Sequence, residues 1–383
     1  MRLRLSVVVM MSGVTALAVS LLVYGLLISR GDNGGRQDAY NLSSVPSAEE
    51  LQEVIVSTVA ERMPSVVNII ATREISLYQG RNPRWRFFNM PVDESEIRRE
   101  RRQVGGGSAI FVHQDGYLLT NRHVVENLTA EYTAIFSDGT IVDIEEIWLD
   151  SMLDIALIQL AEHDVWRNIE PARAVSLHDT VHVGQFVLAI GNALAEFQNS
   201  VTLGIISGRN RQLGVINNNL YAGLYQTDAS INMGNSWGPL LDIYGRVIGL
   251  NTAISAQGES IGFAIPVTQE FIDATVASVI EEDKIWRPYI GVQYIDLNPA
   301  EAQRLWLARS FGIYVQEVMP DTPAYRAGIQ PGDIITAIEE KQIHHEAPFL
   351  YQLFTFQPQD TITLTIERDG LPREIDITLW RHE

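Results

Sequence analysis

From Ser65 onward the sequence is a succession of short apolar runs cut by turn signals, and this rhythm leaves few folds open. Val66–Ile70, Ala109–Val112, Ile155–Leu160, Phe186–Ile190 and Val247–Leu250 have the length and residue types of strands. Asp115-Gly116 and Asp138-Gly139 are hairpin turns between such runs. Many short strands over about 200 residues predict barrels or a sandwich. Helical patterns frame this region, over Glu49–Arg62 before it and Val267–Glu282 at its close. Glu281-Glu282-Asp283 and Pro288 then mark a boundary. Beyond it, strands are expected at Tyr289–Tyr294, Ile313–Val318, Ile334–Glu339, Ile362–Arg368 and Ile375–Trp380. Helices are expected near Pro323–Ala327 and Ala347–Phe356, which makes this last part an α+β module. A chain of 383 residues has room for two or three domains at about 150 residues each.

Residues 73–104 break the strand rhythm with eight arginines and the aromatic side chains of Trp85, Phe87 and Phe88. They read as a long loop rather than a nucleic-acid arm. Outside residues 1–29 the chain holds 26 basic and 47 acidic residues, a balance of −21. That field repels a phosphate backbone, so no nucleic-acid partner is expected. Cysteine is absent, which excludes a disulfide scaffold, a thiol nucleophile, a cysteine-type zinc site and an iron–sulfur cluster. No cofactor and no metal are expected.

The front of the chain carries a different signal. Leu5–Ser29 is a run of 25 residues without a charge, enough to span a bilayer core of about 20 residues. Arg2 and Arg4 precede it, so the positive-inside bias puts the N-terminus in the cytoplasm and the body outside. The alternative is a cleaved signal peptide with Ala16-Leu17-Ala18 at its cleavage site, but another apolar stretch follows that triplet. An uncleaved transmembrane helix at 1–29 is the expectation. Residues 30–48, rich in Gly, Asn and Ser, then form a tether.

Three segments carry chemistry: Thr120-Asn121-Arg122-His123-Val124-Val125, Asp150-Ser151-Met152-Leu153-Asp154-Ile155, and Asn232-Met233-Gly234-Asn235-Ser236-Trp237-Gly238-Pro239. Singly, each has an ordinary reading as a surface histidine, a turn cap and a loop. Together they supply what acyl transfer needs. A serine hydroxyl is a weak nucleophile at neutral pH and needs a base. His123 can be that base, and Asp154 can fix its tautomer and stabilise the imidazolium. The tight turn at Gly234-Asn235-Ser236 can aim the N–H groups of Gly234 and Ser236 at one point, an oxyanion hole.

These segments resemble those of the HtrA (DegP/DegS) family of trypsin-like serine proteases. The residues around them agree: Gly116-Tyr117-Leu118-Leu119-Thr120-Asn121, Ala189-Ile190-Gly191-Asn192, Gly204-Ile205-Ile206-Ser207 and Gly262-Phe263-Ala264-Ile265-Pro266. The resemblance implies a mainly β chain: a double six-stranded β-barrel protease at 49–284 and an α+β PDZ domain at 285–383. It implies Ser236 as nucleophile, His123 as general base and acid, and Asp154 as the orienting acid. Tyr289-Ile290-Gly291-Val292 matches the PDZ loop that holds a peptide carboxylate, with residues 346–357 as the helical wall of the groove. One anchor, one protease and one PDZ domain are most similar to the DegS branch. That branch implies a homotrimer at the bacterial inner membrane with its catalytic and PDZ domains in the periplasm. It also implies activation by C-terminal peptides of misfolded outer-membrane proteins, and cleavage of a membrane-bound anti-sigma factor. Arg211, or else Arg209, matches the arginine that relays peptide binding to the catalytic site.

One position departs from the pattern. The family follows its nucleophile with glycine, and here Trp237 stands there. If the backbone needs a dihedral open mainly to glycine, the indole costs about 1–3 kcal/mol of strain. The alternative function is therefore a PDZ peptide-binding scaffold whose protease domain is impaired. Met233 and Ala193 are minor departures. His344-His345 reads as a solvated pair rather than a metal site, and Gly105-Gly106-Gly107 as the opening of a barrel strand.

Overall fold

In this computed structural model the described residues are 47–78, 97–127, 129–193, 197–232, 234–252, 261–344 and 348–382. The expected anchor at 1–29, most of the tether, and Trp85, Phe87, Phe88, Met233 and His345 lie outside them. Among the described residues no helix is long and apolar enough to cross a membrane.

A helix, Ala48–Arg62, leads into the first barrel. Six strands close it: β1 (Val66–Tyr78), β2 (Ile97–His113), β3 (Tyr117–Thr120), β4 (Glu131–Ile135), β5 (Ile141–Leu149) and β6 (Ala156–Leu160), in the order β1-β2-β3-β6-β5-β4. The second barrel holds β7 (Phe186–Ala193) and β8 (Phe197–Arg211). A small hairpin, β9 (Gly214–Ile216) and β10 (Asn219–Tyr221), precedes its remaining strands. These are β11 (Leu224–Thr227), β12 (Pro239–Asp242), β13 (Val247–Thr252) and β14 (Gly262–Pro266), and the barrel order is β11-β14-β13-β12-β7-β8.

Strands β3, β12, β13 and β14 bury both faces, which explains runs without polar alternation. Val67, Ile69, Phe111, Leu118 and Ile158 pack in the core of the first barrel. Their neighbours Val66, Ile110, Leu119 and Leu157 join a second core. That core continues through Leu188, Leu241 and Ile265 to the Gln269–Glu282 helix, so it fixes the two barrels against each other. Thr268 caps this helix by accepting from the Phe271 N–H at 3.2 Å.

The loop expected over 73–104 is strand at both ends. Tyr78 pairs with Ile97, and the ladder runs back through Arg73 and Arg102 to a bulge at Ala71/Thr72. On this exposed extension the backbone ladder outweighs the like-charge pairing of Arg73 with Arg102, and Arg101 faces Glu74 and pairs with Glu131 at 3.1 Å. Gly105–Gly107 sits inside β2 rather than at its start.

The second module begins with β15 (Pro288–Tyr289), which pairs with β22 (Trp380–Arg381). Its sheet has β16 (Val292–Asp296) at one end, then β17 (Ile313–Val318), β18 (Ile334–Ile338), β20 (Thr361–Arg368) and β21 (Leu371–Thr378), with β19 (Lys341–Gln342) beside β18. The strand expected over Tyr289–Tyr294 is interrupted, because Gly291 takes φ +85°. The expected helix near Ala347–Phe356 covers only Phe349–Leu353. Pro348 lies at its N-cap and Phe354 ends it. An unexpected helix, Pro299–Arg304, is capped by Asn298, whose Oδ1 accepts from the Ala300 and Glu301 N–H groups.

The two modules share packing. Tyr351 and Phe354 belong to the core that joins the barrels. Tyr351 donates its hydroxyl to the Ala222 carbonyl at 2.8 Å, its ring lying where a side chain at Gly223 would be. Arg287, 1% exposed, lies 4.2 Å over the Phe271 ring and pairs with the buried Asp150 at 2.6 Å.

Candidate active site

Each candidate side chain is delivered by a tight turn at a barrel strand. His123 lies in the single-turn helix Arg122–Val125 that follows β3. Asp154 ends the turn before β6, and that turn is shaped by Asp150, whose Oδ1 accepts from the Met152 and Leu153 N–H groups. Ser236 lies in the turn before β12. Glycine is required around it: a Cβ at Gly191 would fall 2.3 Å from the Asn235 Cα, and one at Gly238 would fall 2.1 Å from the Ile190 carbonyl oxygen. Behind the turn, the Ser108 Oγ of β2 accepts from the Asn192 N–H at 3.0 Å, tying one barrel to the other.

The Asp154 carboxylate is fully buried and surrounded by donors. His123 Nδ1 lies 2.7 Å from Oδ2 and 2.9 Å from Oδ1. The His123 N–H and the Asn121 amide donate at 3.1 Å each, and the Tyr221 hydroxyl donates to Oδ2 at 2.9 Å. Burial would raise the Asp154 carboxyl. The hydrogen bond and charge of the His123 ring, with the His123 N–H and Asn121 donors, outweigh burial and hold it below the usual carboxylate range. Burial and the Asp154 charge in turn push the Tyr221 hydroxyl up. With Nδ1 committed to the carboxylate, the neutral imidazole keeps Nε2 as its acceptor. The His123 side chain is 32% exposed.

The Ser236 turn is in a closed arrangement. Ser236 donates both its hydroxyl, at 2.6 Å, and its N–H, at 2.7 Å, to the Asn232 carbonyl, and Asn235 N–H adds a third bond at 3.0 Å. The expected oxyanion hole of Gly234 and Ser236 is therefore not assembled in this conformation, because one of its two donors is spent on the chain's own carbonyl. A hydroxyl bonded to Asn232 is also not bonded to His123. Trp237 adopts φ +70°, the dihedral region that favours glycine. Its indole meets the imidazole edge-on, with centroids 5.4 Å apart and planes at 75°, which puts the Ser236 turn beside His123.

In the second module the expected Tyr289–Val292 loop is pinned by its carbonyls: Ile290 accepts from the Ala324 N–H at 2.8 Å and Gly291 from Met319 at 3.0 Å. A Cβ at Gly291 would fall 2.3 Å from Thr322. Arg211 ends β8, where its Nε donates to the Gln226 Oε1 at 2.9 Å, and Arg209 donates to the Val181 carbonyl. Next to Arg211, Gln212 reaches the half-buried Asp296 of the second module at 3.2 Å. Among the described residues, no three His, Asp or Glu side chains are grouped as metal ligands would be.

Residues 107–250 match the family described as a trypsin-like peptidase domain, and residues 288–379 match the PDZ domain family. The chain is 32% identical to the serine protease HhoB of Synechocystis, over 88% of this chain and 82% of that one. It belongs to the HtrA-type serine proteases. A DegP-like periplasmic serine endoprotease of Brucella melitensis is 29% identical over 96% of this chain and 76% of its own length. Among solved structures, the HtrA-type protease AlgW with a decapeptide superposes with a TM-score of 0.59 at 29% identity, covering 86% of this chain and 99% of that chain. The serine endoprotease from Yersinia pestis gives a TM-score of 0.51 at 27% identity, over 89% of this chain and all of that chain. The chain is thus a hydrolase of the serine endoprotease type with two six-stranded barrels and a PDZ domain.

Tyr221, Asn121 and Asn232 are unmarked by the motif pattern that points to His123, Asp154 and Ser236. Asn121 and Asn232 both lie within the segments that carry the chemistry, and a short amide two residues before the histidine is a usable signal. Tyr221 had none, because its approach to Asp154 depends on how the β9–β10 hairpin folds over the first barrel.

Proposed function

We propose that Ser236 is the nucleophile, His123 the general base and acid, and Asp154 its orienting partner in an endopeptidase of the bacterial envelope. The observation that carries this reading is the His123 Nδ1 to Asp154 pair at 2.7 Å, in a buried carboxylate site with the Ser236 turn alongside. Catalysis needs the Asn232 carbonyl to release Ser236, after which the N–H groups of Gly234 and Ser236 receive the substrate oxyanion. Residues 1–29 act as a single-pass inner-membrane anchor, 30–48 as tether, 49–284 as protease and 285–383 as PDZ domain, with both domains in the periplasm. The protein works as a homotrimer. The PDZ domain takes C-terminal peptides of misfolded outer-membrane proteins at Tyr289–Val292. β16 ends its sheet, so a peptide strand can add to it. Arg211 relays that binding, and the substrate is a membrane-bound anti-sigma factor or a misfolded envelope protein.

A second reading is favoured by Trp237 and by the Asn232 bond: a PDZ scaffold with an idle protease domain. A fluorophosphonate probe, added with a hydrophobic C-terminal peptide, separates the two. Labelling lost in Ser236→Ala supports the protease. No labelling under any peptide supports the scaffold.

A further inference from the structure

Trp237 carries two local costs. Its φ of +70° strains any residue but glycine, and its indole Nε1–H is buried with no hydrogen-bond partner among the described residues. Its backbone is pinned all the same. The Trp237 N–H donates to the Asn251 carbonyl at 3.1 Å, and the Asn251 amide donates to the carbonyls of Asn235 and Pro239 at 3.3 and 3.2 Å. From this fixed stem the indole reaches across to the first barrel, where it packs with that barrel's core and against His123.

The first barrel has a notch for it. A Cβ at Gly107 of β2 would fall 2.6 Å from the indole Cε3 and 3.0 and 3.1 Å from the two Val124 methyls. Only glycine at 107 admits the ring where it stands. A protruding ring on one barrel and a matching gap on the other, meeting at the imidazole, form a built contact rather than a surface accident.

His123, as general acid, hands its proton to the leaving amine, so what flanks the imidazole flanks the residue just after the scissile bond. We propose that Trp237 is a specificity-determining residue of this protease. The indole fills the space that the side chain following the scissile bond would take, and cleavage is confined to bonds followed by Gly, Ala or Ser. A small residue leaves the ring seated in its notch. A larger one must displace the ring on which His123 packs. This inference rests on the Ser236–His123 reading above.

The test digests an unfolded carrier protein such as reduced casein with the full chain and a hydrophobic C-terminal peptide, and reads the new N-termini by mass spectrometry. The parent enzyme should enrich Gly, Ala and Ser at the first position by about ten-fold, the usual scale of steric discrimination in a pocket. Trp237→Gly, which suits a φ of +70°, should erase that enrichment, and Trp237→Phe should keep part of it. Gly107→Ala should cut turnover by about ten-fold with Trp237 in place and cost nothing further in the Trp237→Gly background, because the methyl overpacks only against the ring. The same N-terminal profile in the parent and Trp237→Gly overturns the inference, as does an equal cost of Gly107→Ala in both backgrounds. Fluorophosphonate labelling, with the same C-terminal peptide present, is run on every variant. Label at Ser236 with an unchanged profile overturns this inference alone, whereas no label in any variant overturns the nucleophile reading on which it stands.

Discussion

Tyr221 donates its hydroxyl to the Asp154 carboxylate at 2.9 Å, and the next residue along, Ala222, accepts from Tyr351 of the PDZ domain at 2.8 Å. The carboxylate that holds His123 is thus two hydrogen bonds and one peptide unit from the PDZ helix. A donor to a buried charge contributes about 1.5–3 kcal/mol. Tyr221→Phe should lower kcat by about ten-fold with KM little changed, since Asp154 keeps its His123 and Asn121 donors. Steady-state kinetics on a peptide substrate check this, and a KM effect alone would argue against an action through Asp154.

Arg287 and Asp150 form a buried pair at 2.6 Å, and Asp150 shapes the turn that ends in Asp154. Removing one partner of such a pair costs about 3–5 kcal/mol, because the other charge is left in the core. Arg287→Ala should therefore lower denaturant stability by that amount. The double change Arg287→Met with Asp150→Asn should cost less than the single one. Equal losses in both would mean that the charge pairing is not what matters there.

Asp296 gives a pH signature. Burial pushes its carboxyl up from 3.8 to about 6. The folded state therefore binds the proton more tightly than the unfolded chain, so this residue's contribution to stability falls as pH rises from 3.8 to about 6. The penalty is complete above that window and absent below it. Asp296→Asn, which can still accept from Gln212, should raise Tm at pH 7.5 and leave it nearly unchanged at pH 4. Asp154, held low, acts in the opposite sense: its stabilisation is lost only as pH falls below the usual carboxylate range. The difference between parent and variant melts isolates Asp296.

Gly291 should be irreplaceable in the PDZ loop. It combines φ +85° with a Cβ position 2.3 Å from Thr322, and strain of this kind costs about 1–3 kcal/mol before any clash. Gly291→Ala should weaken binding of a labelled C-terminal peptide by ten-fold or more, read by fluorescence anisotropy. Unaltered binding would remove this loop from the peptide site.

Strand rhythm and the order of His123, Asp154 and Ser236 were readable because local residue types encode them. Runs such as Val247–Leu250 are short and apolar, and the three motifs each sit on a turn. What escaped depends on partners distant in the chain. Arg98–Arg102 looks like a loop by charge, yet pairs with Arg73–Leu77 through backbone groups that charge does not report. The Pro299–Arg304 helix was within reach, since Asn298-Pro299-Ala300-Glu301 has a cap, a first-turn proline and an acid in sequence. The closed Ser236 turn was not, because whether a hydroxyl faces Asn232 or His123 is a choice between conformations of one sequence.

The fit of Trp237 into Gly107 also makes substitution at one position conditional on the other. With a methyl at 107, the indole of Trp237 must leave its seat, so replacing Gly107 is costly while the indole is there. The reverse step has no such condition, because losing the indole only empties the notch. Position 107 is therefore constrained by the indole at 237, whereas 237 is not constrained in the same way by 107, and the pair limits substitution in one direction only.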